Sequence, residues 1–240
     1  MKLLVFQHID CEHPGSLRNF LAADGVEWDA INLHKGEPIP DLEPYDALWV
    51  MGGPMDVWDI EEHPWLIPEK VAIRTWVRDF KRPFLGLCLG HQLLADALGG
   101  TCGPQKPAEI GILEIEFTEE GKNEPLFYGL TPKQNCLQWH SVRVAQPPDD
   151  AIILASSNDC PVQAMRVGTN AWSMQYHVEL EPGEQAARMG GITRGADEEA
   201  VAHQELLQQA ADALVVVDDQ DGGRTIEVVE LAGLLVLDRI

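Results

Sequence analysis

Cys88 stands between two glycines, Gly86 and Gly90, at the junction of two different residue patterns. The apolar run Phe84-Leu85-Gly86-Leu87 leads into it. Leu93, Leu94, Ala97 and Leu98 follow at helical spacing, and Gly99-Gly100 stops them. Strand, sharp turn, helix, with a thiol at the turn, is the arrangement of a nucleophile elbow. Side chains at the two flanking positions would collide with the neighbouring strand and helix, hence the glycines. The helix start aims its amide dipole at the sulfur and favours the thiolate. Such a nucleophile needs a base. The stretch Trp172-Ser173-Met174-Gln175-Tyr176 alternates like a strand and leads to His177. Glu179, two residues further, points to the same side of an extended backbone. Its carboxylate can take the second imidazole proton. Cys88, His177 and Glu179 therefore form a candidate nucleophile, base and orienter.

The elements that must position these groups follow from the pattern. Residues 2–7, 28–33, 46–51 and 84–86 read as strands. Residues 16–23 and 65–80 read as helices, the second with Ile73, Trp76, Val77 and Phe80 at 0, 3, 4 and 7. Strands alternating with helices predict an α/β fold: an open, mostly parallel, flavodoxin-like sheet with helices on both faces. Reactive groups then gather at the carboxyl ends of its strands. After about residue 100 the character changes. Residues 110–117, 136–145, 151–157, 162–167 and 171–176 predict a smaller, strand-rich antiparallel insertion. Helices are expected over 182–190 and 197–214. Residues 215–240 are read as an acidic and apolar tail, forming a hairpin or an interface segment.

The sequence resembles the class I, triad-type glutamine amidotransferases. Their G-x-C-x-G-x-Q elbow is matched by Gly86-Leu87-Cys88-Leu89-Gly90-His91-Gln92. Their Q-x-H-P-E motif is matched by Gln175-Tyr176-His177-Val178-Glu179 except at Val178, where the family has proline. Val50-Met51-Gly52-Gly53-Pro54 is similar to the family's glycine-rich loop after the third strand. Met51-Gly52-Gly53-Pro54-Met55-Asp56, His63-Pro64-Trp65-Leu66 and Leu137-Gln138-Trp139-His140-Ser141 are similar to stand-alone relatives of the amidotransferase domain of GMP synthetase. The resemblance covers the chain to about residue 190, within a domain expected over 1–214. It implies a glutaminase-type hydrolase that releases ammonia from glutamine through a γ-glutamyl thioester. Gly53 and Leu89 would supply the oxyanion N–H groups. Gly52, Gln92, His140 and Ser141 would meet the substrate. No cofactor or metal is implied. Two alternatives stand beside this reading: a stand-alone γ-glutamyl peptidase, and a catalytically silent binding or regulatory protein.

Composition narrows the partners. The formal net charge is −22, which disfavours nucleic acid and anionic membranes. Residues 196–240 alone hold 11 acidic residues against two arginines, which concentrates much of that charge at one end. No run of about 18 apolar residues suggests a membrane span. Five cysteines without a C-x-x-C pair point to a reduced, cytoplasmic protein. His8, Cys11 and His13 fit no common zinc spacing. The partners expected are glutamine or a γ-glutamyl small molecule. A homodimer and a separate synthetase subunit both fit the chain.

Overall fold

Alternation along the first strand sets the layers of the molecule. In β1 (Lys2–Gln7), Leu3 and Val5 face one side while Leu4 and Phe6 face the other, and all four are buried. A strand apolar on both faces belongs in the middle of a covered sheet. The computed structural model describes residues 1–180 and places β1 there, between β2 (Glu27–Asn32) and β3 (Ala47–Val50), parallel to both. β4 (Phe84–Leu87) continues the parallel series, and β9 (Ala171–Met174) lies parallel to β4.

Helices cover both faces, as the pattern predicts. Helix α1 (Leu17–Ala23) packs Leu17 and Leu21 against Leu3, Val5, Trp49 and Leu85. Helices α2 (Leu66–Arg74) and α3 (Leu89–Ala97) pack on the opposite face, where Leu66, Ile73, Leu93 and Leu94 meet Leu4, Phe6, Leu48 and Val50. The helix expected over 65–80 is continuous in outline, but its second half, Thr75–Phe80, is wound as a π-helix. Trp76 there is fully buried and donates its indole N–H to Pro83 O at 2.9 Å.

The antiparallel, strand-rich region expected after about residue 100 is present and is continuous with the main sheet. Strands β5 (Thr101–Phe117), β6 (Lys133–Gln146), β7 (Ala151–Ser156) and β8 (Ala164–Val167) extend the main sheet, with the short helix α4 (Glu119–Lys122) between β5 and β6. Among the described residues the order is β2-β1-β3-β4-β9-β8-β7-β5-β6, nine strands in one sheet. β9 is the seam: parallel to β4 on one edge, antiparallel to β8 on the other. The helices expected over 182–190 and 197–214 and the tail over 215–240 lie outside the described residues.

His91 ties α3 to the seam. Val162 O can only accept, so Nε2 donates to it at 3.1 Å, and Nδ1 then takes the Ser173 hydroxyl proton at 2.8 Å. A neutral ring satisfies both. Burial pushes its pKa down to about 3, with the nearby His140 adding to the effect. The unfolded chain binds a proton near pH 6.5 that the folded ring refuses, so stability falls as pH drops from about 6.5 toward 3. Denaturant titrations across that range should show an acid limb shallower in His91→Gln than in the wild type, by up to about 1.4 kcal/mol per pH unit. Equal slopes would show that the ring takes up its proton in the folded state as easily as in the unfolded one.

Candidate active site

The strand order reverses at β1: β2 lies on one side of it and β3 on the other, so the loops leaving β1 and β3 diverge at their carboxyl ends. This is the switch point where open α/β sheets form their crevices. Cys88 follows β4 on the same rim. Its backbone has φ 51° and ψ −104°, a left-handed conformation that a side-chain-bearing residue adopts only under constraint. Gly86 and Gly90 provide that constraint. A Cβ on Gly90 would overlap the Val50 carbonyl oxygen, and one on Gly86 would stand 2.5 Å from the Gly90 carbonyl oxygen. Both obstacles are backbone and cannot rotate away. Cys88 N–H donates to Met174 O at 2.9 Å, which fastens the turn to β9.

That hydrogen bond brings the end of β9 to the sulfur. His177 sits just beyond the strand and donates its own N–H to Leu137 O of β6 at 3.0 Å. Its Nδ1 lies 2.7 Å from Glu179 Oε1, as the two-residue spacing predicts. Glu179 also accepts from Val178 N–H at 2.9 Å, through Oε2. A proline at 178 could not make that bond. Ser16, at the start of α1, holds the Glu179 carbonyl through its N–H at 2.8 Å and its hydroxyl at 3.1 Å. Glu179 is wholly buried and His177 is only 5% exposed.

Burial alone would lower the His177 pKa. The negative charge of Glu179, of the nearby Cys88 sulfur and of Glu12 outweighs it and holds the pKa well above the ordinary histidine range. His177 Nε2 is close enough to the sulfur for that coupling, yet it makes no aligned hydrogen bond to any protein group. Gln175 Nε2 approaches the sulfur at 3.8 Å.

The glycine loop after β3 packs directly on the elbow. A Cβ on Gly52 would stand 3.5 Å from Cys88 Cβ, and one on Gly53 would stand 3.0 Å from Leu89 Cδ2. Gly52, Gly53, Cys88 and Leu89 are thus gathered at one place. Gln92 lies on the inner face of α3, and its Nε2 donates to Val142 O at 3.1 Å and Gln175 Oε1 at 3.2 Å. His140 is buried on β6, with Nδ1 at 2.9 Å from Val142 O and Nε2 within 2.8 Å of Glu109 Oε2. That second approach is near but misaligned for a hydrogen bond. Ser141 points to solvent.

Two groups were not assigned to the site by the sequence reading, which weighed His8 for a metal alone, and both follow the end of β1. Glu12 is 6% exposed and reaches within 3.9 Å of His177 Nδ1. Its Oε2 has no hydrogen-bond partner and presses on Gly52. Burial raises its pKa, and Glu179 adds to the rise against the opposing pull of His177 and His8. His8 bridges Gly52 O at 2.9 Å and Glu69 Oε1 of α2 at 2.8 Å. The signal that could have found them is positional: polar residues directly after a doubly apolar strand at the switch point. His13, considered with His8 and Cys11 for a metal, instead accepts Gly15 N–H at 3.0 Å. Glu109, His140 and Cys160 also converge, and of their polar side-chain atoms His140 Nε2 alone lacks a hydrogen bond. Glu109 accepts from Ser157 at 2.6 Å and Gln163 at 2.9 Å, and the Cys160 thiol, pushed up to about 12 by burial, donates to Val162 O.

The class-I glutamine amidotransferase family model matches residues 9–190. The chain belongs to this family. Among curated relatives, a glutamine-hydrolyzing GMP synthase subunit from Saccharolobus solfataricus is 32% identical over 158 residues, 65% of this chain and 78% of the relative. The putative glutamine amidotransferase-like protein YfeJ of Salmonella typhimurium is 29% identical over 190 residues, 75% of this chain and 76% of the relative. Among solved structures, a glutamine amidotransferase from Thermotoga maritima has the same fold, with TM-score 0.81 at 24% identity over 98% of this chain and 94% of that one. The amidotransferase fold expected from the sequence is therefore the fold observed. No helix among the described residues is long and apolar enough to cross a membrane.

Two substitutions test this amidotransferase's local chemistry. Gly90→Ala should cost 1–3 kcal/mol or more, roughly the penalty of overpacking, because the clash is with backbone. An unchanged denaturation midpoint would contradict the close approach. Val178→Pro restores the family's residue but removes the N–H that serves Glu179. A hydrogen bond to a charged group is worth about 1.5–3 kcal/mol, whereas a proline gains only about 0.4–1 kcal/mol through the unfolded chain. The variant should therefore be less stable than the wild type by roughly 1 kcal/mol. A more stable variant would show that Val178 N–H contributes little.

Proposed function

We propose that this amidotransferase hydrolyses the side-chain amide of glutamine with Cys88, His177 and Glu179. The Cys88 sulfur attacks the carboxamide carbon, and the carbonyl electron pair moves to oxygen. Backbone N–H groups of Gly53 and Leu89 hold that oxyanion. The tetrahedral intermediate collapses as His177 passes its proton to the departing nitrogen, releasing ammonia and leaving a γ-glutamyl thioester. His177, now neutral, takes a proton from water, and the hydroxide cleaves the thioester to glutamate and free thiol. Glu179 keeps the imidazole in one tautomer and balances its charge through both steps. Gly52, Gln92, His140 and Ser141 are the proposed substrate contacts. The observation that carries the reading is His177 itself, with Nδ1 fixed at 2.7 Å from a buried carboxylate and Nε2 left unpartnered beside the sulfur.

The relatives named as glutamine-hydrolyzing GMP synthase subunits support a destination for the ammonia: a synthetase in a separate chain. Glutamine and that synthetase are the proposed partners, and the compartment proposed is the cytoplasm.

A glutamine-shaped chloroketone should add once to the wild type, on Cys88, by mass spectrometry. Cys88→Ala should take no adduct and should lose turnover at least roughly a thousandfold, since removing the nucleophile of a triad removes most of its catalysis. Turnover that survives in Cys88→Ala would refute the assignment. Hydrolysis of γ-glutamyl dipeptides in preference to glutamine would move the protein to the stand-alone peptidase reading.

A further inference from the structure

We infer that His8 is a positioning residue of the oxyanion hole: its Nδ1–H holds the Gly52 carbonyl and so turns the Gly53 N–H toward the sulfur. The inference rests on the hydrolase reading above and names the group that fixes one of its two donors.

The argument is geometric. A trans peptide is planar, so the C=O of Gly52 and the N–H of Gly53 point in opposite directions. Whatever fixes one fixes the other. Glycines have no side chain of their own to resist a peptide flip, and this loop places two in a row. His8 Nδ1 lies 2.9 Å from Gly52 O. A carbonyl cannot donate, so the proton is on Nδ1. The Gly53 N–H is then directed away from His8.

His8 is itself held on three sides. Its Nε2 meets Glu69 Oε1 at 2.8 Å, and its ring stacks on Trp65 with centroids 5.4 Å apart and planes 13° from parallel. A Cβ on Gly53 would stand 2.8 Å from His8 Cβ, so the loop and the histidine stem are in close contact. The side chain is fully buried, with Glu69 and Glu12 as the charged groups facing it and His63 next to Trp65. Burial alone would lower its pKa, but Glu69, the Gly52 carbonyl and Glu12 together raise it above the usual histidine value.

Both neighbours of the ring are acceptors, so the imidazolium serves both. As pH rises through the raised pKa, one proton is lost. The carboxylate is the stronger acceptor and keeps the one that remains. Nδ1 then presents a lone pair to Gly52 O, and the lock is released. The same sign applies to stability: the contribution is complete below the ordinary histidine pKa and is lost as pH climbs through the raised one.

The test compares H8L, which has no donor, with H8N, whose amide nitrogen can stand where Nδ1 stands. Two rates are read on folded protein: glutamine turnover, and alkylation of Cys88 by iodoacetamide, a displacement that builds no oxyanion. Losing an oxyanion donor costs about 100- to 1,000-fold in kcat, so misdirecting one should cost H8L about 10- to 100-fold. KM and the alkylation rate should stay within about twofold, a change of under 0.5 kcal/mol. H8N should recover most of kcat and lose the part of the wild type's alkaline fall that belongs to His8. Full kcat in H8L, equal losses of kcat and alkylation, or no recovery in H8N would each overturn the inference. A wild type that alkylates at Cys88 but turns over neither glutamine nor γ-glutamyl peptides would instead sink the hydrolase reading. An imidazole ¹⁵N spectrum then judges His8 alone: a protonated Nδ1 is expected, and a bare Nδ1 at neutral pH overturns the lock.

Discussion

The left-handed turn at Cys88 depends on two close approaches of backbone to backbone, and most of the site follows from them. Gly90 lies against the Val50 carbonyl, and Gly86 lies against Gly90. These contacts draw the end of β3, the end of β4 and the first turn of α3 into one small volume. The chain leaving Val50 therefore has to run past the start of α3, which is why Gly52 and Gly53 land on Cys88 and Leu89. One steric requirement thus places the nucleophile and both groups proposed to receive the oxyanion. A strained residue costs about 1–3 kcal/mol, and the surrounding packing has to over-determine it. Here the helix that follows, the N–H bond to Met174 and the covered sheet do so.

The second feature is a buried cluster of ionisable groups. Cys88, His177, Glu179, Glu12, His8 and Glu69 are all buried. Buried charge is tolerated where it is paired, and the pairs are legible: His177 with Glu179, His8 with Glu69. Two carboxylate oxygens of the cluster, Glu69 Oε2 and Glu12 Oε2, have no hydrogen-bond partner. Leaving a buried polar atom unpaired costs about 1–3 kcal/mol, and Glu12 lacks the close imidazole that Glu69 has. That fits the raised pKa that burial and Glu179 impose on it.

How much of this was legible in the sequence depends on the range of each contact. The elbow and the histidine–glutamate pair are local, and their geometry is written in spacings of two. The parallel strands announce themselves through runs apolar on both faces. The course of the later strands was half legible. Alternation located β5 to β9, but whether they formed a separate flap or extended the main sheet is decided by the edge of β9, which pairs both ways. No periodicity reports that. His8 and Glu12 were not placed at the site because their partners are 44 to 165 residues away. The π-helical winding after Arg74 was missed because its apolar spacing still reads as an ordinary helix face.

The continuity of the sheet also changes what the later strands do. Buried glutamines run across them: Gln175 to the sulfur at 3.8 Å, Gln92 to Gln175 at 3.2 Å, Gln138 to Gln163 at 3.0 Å, Gln163 to Glu109 at 2.9 Å. Each buried amide needs its partners, and the partners lie on different strands. Gln92 joins α3 to Val142 of β6, and His177 is held by Leu137 of the same strand. β6 lies at the far edge of the sheet, yet its chain bends back to hold both the nucleophile's helix and the base. The antiparallel half is therefore a frame for the triad as well as a wall beside it. A shift of β6 would move His177 and Gln92 together, and with them the distance across which the proton must pass.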